Sequence, residues 1–228
     1  MSAEVVRTTN FVDDATNYVL ERARESLSVG RQFRIALSGG NTPRPVYAAI
    51  ASRNNLPWEQ WLITFGDERC VPPDDKESNF HMANETWLRP AHVPANSILR
   101  MAGEKEPAEA AAEYEQRLRE LAEQNGEIVY RHDLILLGIG DDGHTASLFP
   151  GTAALQEEER LVVSNFVPKF ESWRLTFTFP LINQARHVCF LVKGKSEELI
   201  ERIMRGDAEY PAARVRPESG QLTWIIGQ

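Results

Sequence analysis

The sequence predicts an α/β fold: a doubly wound, mainly parallel sheet flanked by helices. Strand patterns alternate with helix patterns along the chain, which is typical of βαβ units. The segment 133–137 has four consecutive bulky apolar residues, as expected of a strand buried on both faces. Three segments that contain glycine follow predicted strands, at 38–45, 66–73 and 138–151. Because such sheets bind ligands at the carboxyl ends of their strands, we expect these segments to meet at one edge.

The first half of the chain contains three predicted strands and two predicted helices. The helices are indicated by apolar residues at helical spacing and by capping residues before them. Thr42 is expected to cap a further, short helix with Pro43 in its first position, where the fixed φ of proline is favourable. The loop after the third strand carries three successive charges at 67–69. The expected strands are 4–8, 31–37 and 62–65, and the longer helices are 12–27 and 78–88.

The second half begins with the clearest helix of the chain. Pro107 stands at its start and Gly126 lies just beyond its end at residue 124. A later helix has Ser196 as its predicted N-cap and ends at Gly206. The histidines at 92 and 132 are expected in loops. Strands are predicted at 133–137, 160–166, 175–179, 187–192 and 222–226.

Length and composition favour one cytoplasmic domain over residues 1–228. The formal net charge is −8 and no basic stretch is present, which argues against nucleic acid and anionic membranes as partners. No apolar run approaches the ~20 residues that span a bilayer, and the N-terminus lacks a secretory signal pattern. Cys70 and Cys189 are far apart and imply no disulfide framework. We expect a monomer or a small homo-oligomer.

The segment 138–151 carries the strongest functional signal. Glycines and two aspartates follow a buried strand, and His144 comes two residues after Asp142. A histidine at the carboxyl end of a strand, near a carboxylate, suits acid–base catalysis near neutral pH. Asp142 is expected to fix the imidazole tautomer and to stabilise its charged form.

Two other interpretations of this segment are weaker. Its glycine spacing, Gly138-x-Gly140-x-x-Gly143, matches a dinucleotide fingerprint, but two aspartates inside the loop would repel a pyrophosphate. Ser147 lacks the G-x-S-x-G elbow that exposes a nucleophilic serine, so it is expected to be a cap or turn residue. We therefore predict no nucleotide cofactor.

The motif Gly138-Ile-Gly-Asp-Asp-Gly-His-Thr-Ala-Ser-Leu-Phe-Pro-Gly151 resembles the signature of the 6-phosphogluconolactonases. These enzymes share a superfamily with the glucosamine-6-phosphate deaminases/isomerases. The deaminase branch typically has isoleucine after the histidine, where this chain has Thr145. The resemblance covers nearly the whole chain and implies hydrolysis of a phosphorylated sugar lactone in the pentose phosphate pathway.

A glycine turn leading into a helix N-terminus at 38–45 can bind an anion, although an ordinary strand–helix turn has the same pattern. The segment also resembles the Ser-Gly-Gly-x-Thr-Pro segment of the family, which binds phosphate. That resemblance implies that the substrate phosphate is held by Ser38, Gly39, Gly40, Asn41 and Thr42.

The remaining predicted substrate contacts lie in other parts of the chain. The segment Asp-Glu-Arg at 67–69 resembles the family pattern, where Arg69 can bind phosphate or sugar oxygens through two hydrogen bonds. Asp67 is expected to orient Arg69 or a hydroxyl group, and Arg174 matches a family arginine that precedes a β segment. The family lysine is replaced here by Glu197. Either Lys193 or Lys195 is expected to supply the missing charge, and Lys193 is included among the predicted substrate contacts.

Other reactive groups are weaker candidates. His81 and Glu85 lie on one helix face, but no third ligand is evident and no metal site is predicted. No histidine is close to Cys70 in the sequence, so a catalytic thiol is not expected. Two rival functions stay open. One is a glucosamine-6-phosphate deaminase/isomerase with Asp67 as its base, and the other is a sugar-phosphate-binding regulator without catalysis.

Overall fold

The computed structural model describes residues 3–228, and its core is a six-stranded sheet in which every paired strand is parallel. The strand order is β1-β9-β8-β5-β2-β3. Helices lie between successive strands, so the predicted doubly wound, mainly parallel fold is confirmed. The six strands are β1 (Glu4–Thr8), β2 (Phe33–Leu37), β3 (Trp61–Phe65), β5 (Leu134–Leu137), β8 (His187–Lys193) and β9 (Gln221–Gly227).

Six α-helices accompany the strands. The predicted helix of the second half begins and ends where its proline and glycine indicated, at Pro107 and Gln124. A π-helical turn, Asn84–Leu88, continues the third helix. Among these helices none is both long enough and apolar enough to cross a membrane, over the residues that the structure describes. The helices are α1 (Phe11–Ser28), α2 (Arg44–Ala51), α3 (Asn79–Ala83), α4 (Pro107–Gln124), α5 (Phe179–Asn183) and α6 (Glu197–Arg205).

The central strands are buried on both faces, which explains their continuous apolar runs. Every residue of β2, β3 and β5 is buried. Side chains alternate between two hydrophobic cores: Ala36 packs into one, and its neighbours Ile35 and Leu37 pack into the other. Since side chains of a strand point alternately to opposite faces, the sheet separates the two cores.

A second, antiparallel sheet of three strands covers one side of the carboxyl edge. Its strands are β4 (Asp67–Arg69), β7 (Ser172–Phe177) and β6 (Val162–Val167), in that order. The expectation of a loop at 67–69 was therefore wrong, because these residues pair with β7. Arg174 lies within β7, opposite Arg69, instead of before a strand.

One local prediction also needs correction. Helix α2 begins at Arg44, and Pro43 occupies the capping position, where no side-chain capping bond is made. Thr42 therefore does not cap it. His132 lies in a loop, as predicted, but it is fully buried, with Nε2 2.9 Å from Oγ1 of Thr64. Burial, together with the charge of Arg34, lowers the pKa of His132 to about 3.

Candidate active site

A cleft of about 260 Å³ lies at the carboxyl ends of β2, β5 and β8. The three segments singled out from the sequence contribute to its wall, as the position of their strands in the sheet requires. Asp142 and Arg174 do not line the cleft themselves. Asp142 is hydrogen-bonded to His144, and Arg174 is paired in register with Arg69; both of these partners line the cleft. The predicted residues in its wall are Ser38, Gly39, Gly40, Asn41, Thr42, Asp67, Arg69, His144 and Lys193.

His144 and Asp142 form a hydrogen-bonded pair in which Nδ1 and Oδ1 are 2.5 Å apart. The loop closes through a bond of 2.9 Å from the N–H of Gly140 to the carbonyl of His144. A Cβ atom on Gly140 would lie 2.0 Å from the imidazole ring. The residue at 140 must therefore be glycine for the ring to approach the backbone this closely.

Further contacts fix the imidazole and its carboxylate. Phe149 stacks on the ring of His144, with 3.9 Å between centroids. Phe170 packs edge-on against Phe149, at the turn that joins β6 to β7. The preceding residue of this turn, Lys169, places its Nζ 3.0 Å from Oδ2 of Asp142. The turn thus contacts Asp142 directly and His144 through Phe149.

Asp142 stays ionised in this setting. Partial burial acts to raise its pKa, but hydrogen bonds from His144 and Lys169 outweigh that effect and lower the pKa to about 2. A permanent carboxylate on Nδ1 favours the tautomer with its proton there, and it stabilises the imidazolium once a second proton is bound. The Nε2 atom of His144 is then the nitrogen available for proton transfer.

The segment 38–42 has the properties of an anion cradle. The backbone N–H groups of 39–42 donate no hydrogen bond to any residue from 3 to 228. The hydroxyl of Ser38 is buried and also lacks a partner there. Gly39 lies so close to Asn79 that a Cβ atom would be 1.9 Å from its Oδ1. Since a buried donor without a partner is costly, a bound anion would satisfy the Ser38 hydroxyl, and it could accept from these N–H groups as well.

Two guanidinium groups lie side by side next to the cradle. Arg69 is paired in register with Arg174, on β4 and β7. Arg69 donates to the carbonyl of Glu77, whereas the buried Nε of Arg174 has no partner among the described residues. Burial, followed by the charge of Arg69, lowers the pKa of Arg174. A bound anion would reduce the repulsion between these two adjacent positive charges.

Asp67 is an anchoring group in this structure. Its Oδ2 accepts a bond of 2.7 Å from the hydroxyl of Ser147, and its Oδ1 accepts one of 3.1 Å from the amide of Asn79. Of the two expected roles, the orientation of a hydroxyl is observed. Ser147 lies in a turn, as predicted, and at 2% exposure it is not an accessible nucleophile.

The two candidate lysines differ in their partners. Both line the cleft. Lys195 has its Nζ 2.5 Å from Oδ1 of Asp141, whereas Lys193 makes no side-chain hydrogen bond or ion pair with residues 3–228. Glu197, at the family position of the lysine, pairs with Arg7 at 2.6 Å. The absence of a competing carboxylate makes Lys193 the better donor for a ligand.

Sequence reasoning missed Asn79 and Phe149 as parts of the site. Asn79 is buried, and its backbone N–H donates at 2.6 Å to Glu68, whose carboxylate also accepts from Phe80 and Ser78. Burial raises the pKa of Glu68. The Ser-Asn pair at 78–79, which resembles the family pattern after the Asp-Glu-Arg segment, was the one available signal for this contact. The stacking of Phe149 depends on tertiary packing and had no local signal.

Three other reactive groups were singled out from the sequence, namely Cys70, His81 and Glu85. Burial raises the pKa of Cys70 to about 11, so its thiol is protonated at neutral pH. Glu85, the predicted neighbour of His81, pairs with Arg89 at 2.6 Å. Over residues 3–228, no three His, Cys, Asp or Glu side chains are grouped so that they could hold a metal ion.

Comparison with known proteins decides the family. The family described as glucosamine-6-phosphate isomerases/6-phosphogluconolactonase matches residues 7–224. The chain belongs to this family. It is 42% identical to the 6-phosphogluconolactonase of Synechocystis over 95% of this chain and 91% of that protein. The human 6-phosphogluconolactonase is 34% identical, over 92% of this chain and 84% of that protein.

Solved structures of the family have the same fold. The 6-phosphogluconolactonase of Thermotoga maritima superposes with a TM-score of 0.88 at 27% identity, covering all of both chains. That of Trypanosoma cruzi gives 0.87 at 29% identity, covering 100% of this chain and 96% of the other. The family resemblance expected from the motif at 138–151 is therefore confirmed.

Proposed function

We propose that this protein hydrolyses 6-phospho-D-glucono-1,5-lactone to 6-phosphogluconate, a step of the pentose phosphate pathway, with His144 as the general base. The observation that carries the proposal is the His144–Asp142 pair beside an anion cradle in one cleft. The curated relatives above bear the name of this activity. The reaction needs a base near a carbonyl carbon and a group that holds the phosphate at the other end of the substrate, and the cleft offers both.

The substrate phosphate binds to the segment 38–42, which lines the cleft and whose N–H groups at 39–42 and Ser38 hydroxyl have no partner among residues 3–228. Arg69 and Lys193 supply positive charge from two other strand ends, and Arg174 reinforces Arg69 from the neighbouring strand. A guanidinium can form two parallel hydrogen bonds to phosphate oxygens. Anchoring the phosphate fixes the position of the lactone ring relative to His144, which lowers the entropic part of the barrier.

Catalysis then follows from the charge state of the pair. Neutral His144 accepts a proton at Nε2 from a water molecule as that water attacks the lactone carbonyl, forming a tetrahedral intermediate. The C–O bond to the ring oxygen then breaks, and the imidazolium returns the proton to that oxygen. Asp142 stabilises the imidazolium throughout. Positioned acid–base catalysis of this kind is worth roughly 10²–10⁴-fold in rate.

The deaminase/isomerase alternative requires Asp67 to abstract a proton from the substrate. Both of its oxygens already accept hydrogen bonds, from Ser147 and Asn79. The alternative of a binder without catalysis does not account for the His144–Asp142 pair or for the glycine at 140 that accommodates it. The lactonase uses every one of these features, so we favour it over both alternatives.

The proposal extends to the setting of the enzyme. We infer a single domain over residues 1–228 in the cytoplasm, acting as a monomer or small homo-oligomer without nucleic acid, membrane or cofactor. The match to the family covers residues 7–224. Cys70 and Cys189 are both free thiols, as is usual in a reducing compartment. The acidic net charge of −8 disfavours polyanionic partners.

The test is an assay of both substrates of the family. Proton release is followed after addition of freshly generated lactone, with spontaneous hydrolysis subtracted, and ammonia release is followed with glucosamine 6-phosphate. We expect a large enzyme-dependent rate with the lactone and none with the amino sugar. A rate with glucosamine 6-phosphate alone would overturn the proposal in favour of the deaminase, and substrate binding without either reaction would favour the binder.

A further inference from the structure

A second polar cavity lies at the amino ends of the same three strands whose carboxyl ends form the active-site cleft. Its volume is about 210 Å³. Arg34 belongs to the start of β2, Asp133 immediately precedes β5, and Arg186 immediately precedes β8. These strands are neighbours in the sheet, in the order β8-β5-β2. The sheet therefore presents one concave polar site at each of its two edges.

The charge of this second cavity is opposite to that of the chain as a whole. Four guanidinium groups face two carboxylates, an excess of two positive charges in a chain of net charge −8. Such a local excess is not explained by general surface composition. The charged residues in its wall are Arg31, Arg34, Arg131, Arg186, Glu127 and Asp133.

Two of the four arginines are already held by the protein. Arg34 is largely buried, donates to Glu127 at 2.5 Å and lies over the ring of Tyr130. Arg131 donates to the carbonyl of Gln184 at 2.8 Å and to the hydroxyl of Ser219 at 3.0 Å. These two residues form the fixed wall of the cavity, and Glu127 is neutralised by its own partner.

The other two arginines, Arg31 and Arg186, share one carboxylate, at the long end of the hydrogen-bond range. Oδ1 of Asp133 lies 3.4 Å from Arg31 and 3.3 Å from Arg186. The other oxygen of Asp133 accepts the backbone N–H of Arg34. Among residues 3–228, no other acceptor binds the side chain of Arg31 or of Arg186. Most of their N–H groups are thus available, on two side chains that the same carboxylate holds together.

Two other positively charged side chains lie near Arg186. Its pKa is lowered by burial and then by the nearby charges of Arg31 and Arg131, which exceed the effect of Asp133. An anion bound between Arg31 and Arg186 would relieve this repulsion. Guanidinium groups bind phosphate oxygens through paired hydrogen bonds, a match that a chloride ion cannot provide.

We propose that this cavity is a second anion site, which binds the phosphate group of a small molecule between Arg31 and Arg186. It is separate from the catalytic cleft, because Arg34 and Ser38 stand four residues apart along one extended segment, ~13 Å at ~3.3 Å per residue. The ligand class is a compact phosphate, either free or as a monoester, because both present the same doubly charged group.

The experiment titrates inorganic phosphate into the full chain at constant ionic strength, followed by calorimetry and by the NMR signals of the arginine Nε–H groups. The double variant Arg69→Gln/Lys193→Gln weakens binding in the cleft and isolates the second site. Arg31→Gln and Arg186→Gln are added to it singly, and Arg89→Gln, an exposed arginine paired elsewhere, is the matched control. Glycerol 3-phosphate replaces phosphate in a parallel series.

We expect phosphate to bind the cleft-weakened variant and to shift the Nε–H signals of Arg31 and Arg186. Each added substitution should weaken binding about 10-fold, the loss of one charge-assisted hydrogen bond, while Arg89→Gln has no effect. Binding of the monoester as well assigns the site to phosphate esters, and binding of inorganic phosphate alone assigns it to the free anion. Both results uphold the site.

Equal binding in the Arg31→Gln, Arg186→Gln and control variants would overturn the proposal, as would phosphate shifts confined to cleft residues. Lactone hydrolysis by Arg31→Gln in an otherwise wild-type chain should equal that of the wild type. The wild-type signals of Arg31 and Arg186 test the site even if a variant fails to fold. The outcome is independent of the proposed activity, which the lactone assay tests separately.

Discussion

The Nδ1 atom of His144 lies 2.5 Å from Oδ1 of Asp142, and this short contact defines the direction in which the imidazole can act. With its proton held on Nδ1, the neutral ring has a free lone pair on Nε2. The carboxylate also opposes the cost of the positive charge that forms when Nε2 takes up a proton. Substitutions around this pair should therefore change the rate of the chemical step more than the affinity for substrate.

Asp142→Asn should lower kcat for the lactone by roughly 10²–10⁴-fold with little change in KM. An amide at this position can donate to Nδ1 and so favour the wrong tautomer. Steady-state proton release measures both constants. Asp13→Asn, on the exposed side of α1, is the control and should behave as the wild type. A kcat for Asp142→Asn close to that of the control would mean that the carboxylate has no part in the reaction.

Gly140→Ala should also lower kcat, because its Cβ would lie 2.0 Å from the imidazole and displace it. Gly138→Ala is the matched control in the same loop, since no atom lies within 4 Å of its added Cβ. Misplacement of a catalytic group by about 1 Å costs on the order of 100-fold in rate. Circular dichroism would show that both variants fold. Equal kcat values for the two alanine variants would count against the observed loop geometry.

Arg69→Gln should raise KM for the lactone about 10–100-fold and change kcat much less, because a charge-assisted hydrogen bond to the phosphate is worth about 1.5–3 kcal/mol. Arg89→Gln, whose side chain pairs with Glu85 on the surface, is the control. The two constants are separated by initial rates over a range of substrate concentrations. An unchanged KM would show that the guanidinium does not bind the phosphate.

Because of His132, folding stability should decrease as the pH is lowered. Its pKa is about 3 in the folded protein, against an ordinary value of 6.5 for histidine, so the unfolded chain gains a proton below pH 6.5 while the folded chain does not. Between pH 7 and pH 5 the free energy of unfolding should fall by about 2 kcal/mol from this group alone. The loss continues until the folded-state pKa is reached.

The variant His132→Phe should flatten this pH dependence. Phenylalanine keeps the aromatic contacts with Tyr130 and Phe177, and Thr64 can still donate to the carbonyl of Ile35 at 3.0 Å. His92→Asn, at an exposed position with φ of 54°, is the control and should keep the wild-type slope. Urea unfolding at several pH values gives the free energies. A slope that survives in His132→Phe would assign it to other groups.

Local signals were sufficient for much of the fold. Helix α4 has the predicted bounds because the fixed φ of Pro107 suits the first helical position and the positive φ of Gly126 ends helical geometry. The strands β2, β3 and β5 were predicted because burial on both faces requires continuous apolar runs. The parallel order then placed the ends of β2, β5 and β8 together, and with them the loops that line the cleft.

Contacts between distant segments were not predictable in the same way. The antiparallel pairing of Arg69 with Arg174 joins segments about a hundred residues apart, and nothing near either residue indicates it. The burial of His132 likewise results from the packing of Tyr130 and Phe177 around it. In the site, the motif identified His144 and Asp142, but the stacking of Phe149 required the folded loop.

The most direct test of the account is the rate of lactone hydrolysis by wild type and by His144→Ala, with binding of inorganic phosphate measured for both. We predict that kcat falls by roughly 10²–10⁴-fold in the variant, while phosphate binds equally well, because the anion cradle at 38–42 is intact. A variant that retained the wild-type kcat, corrected for spontaneous hydrolysis, would contradict the assignment of His144 as the base.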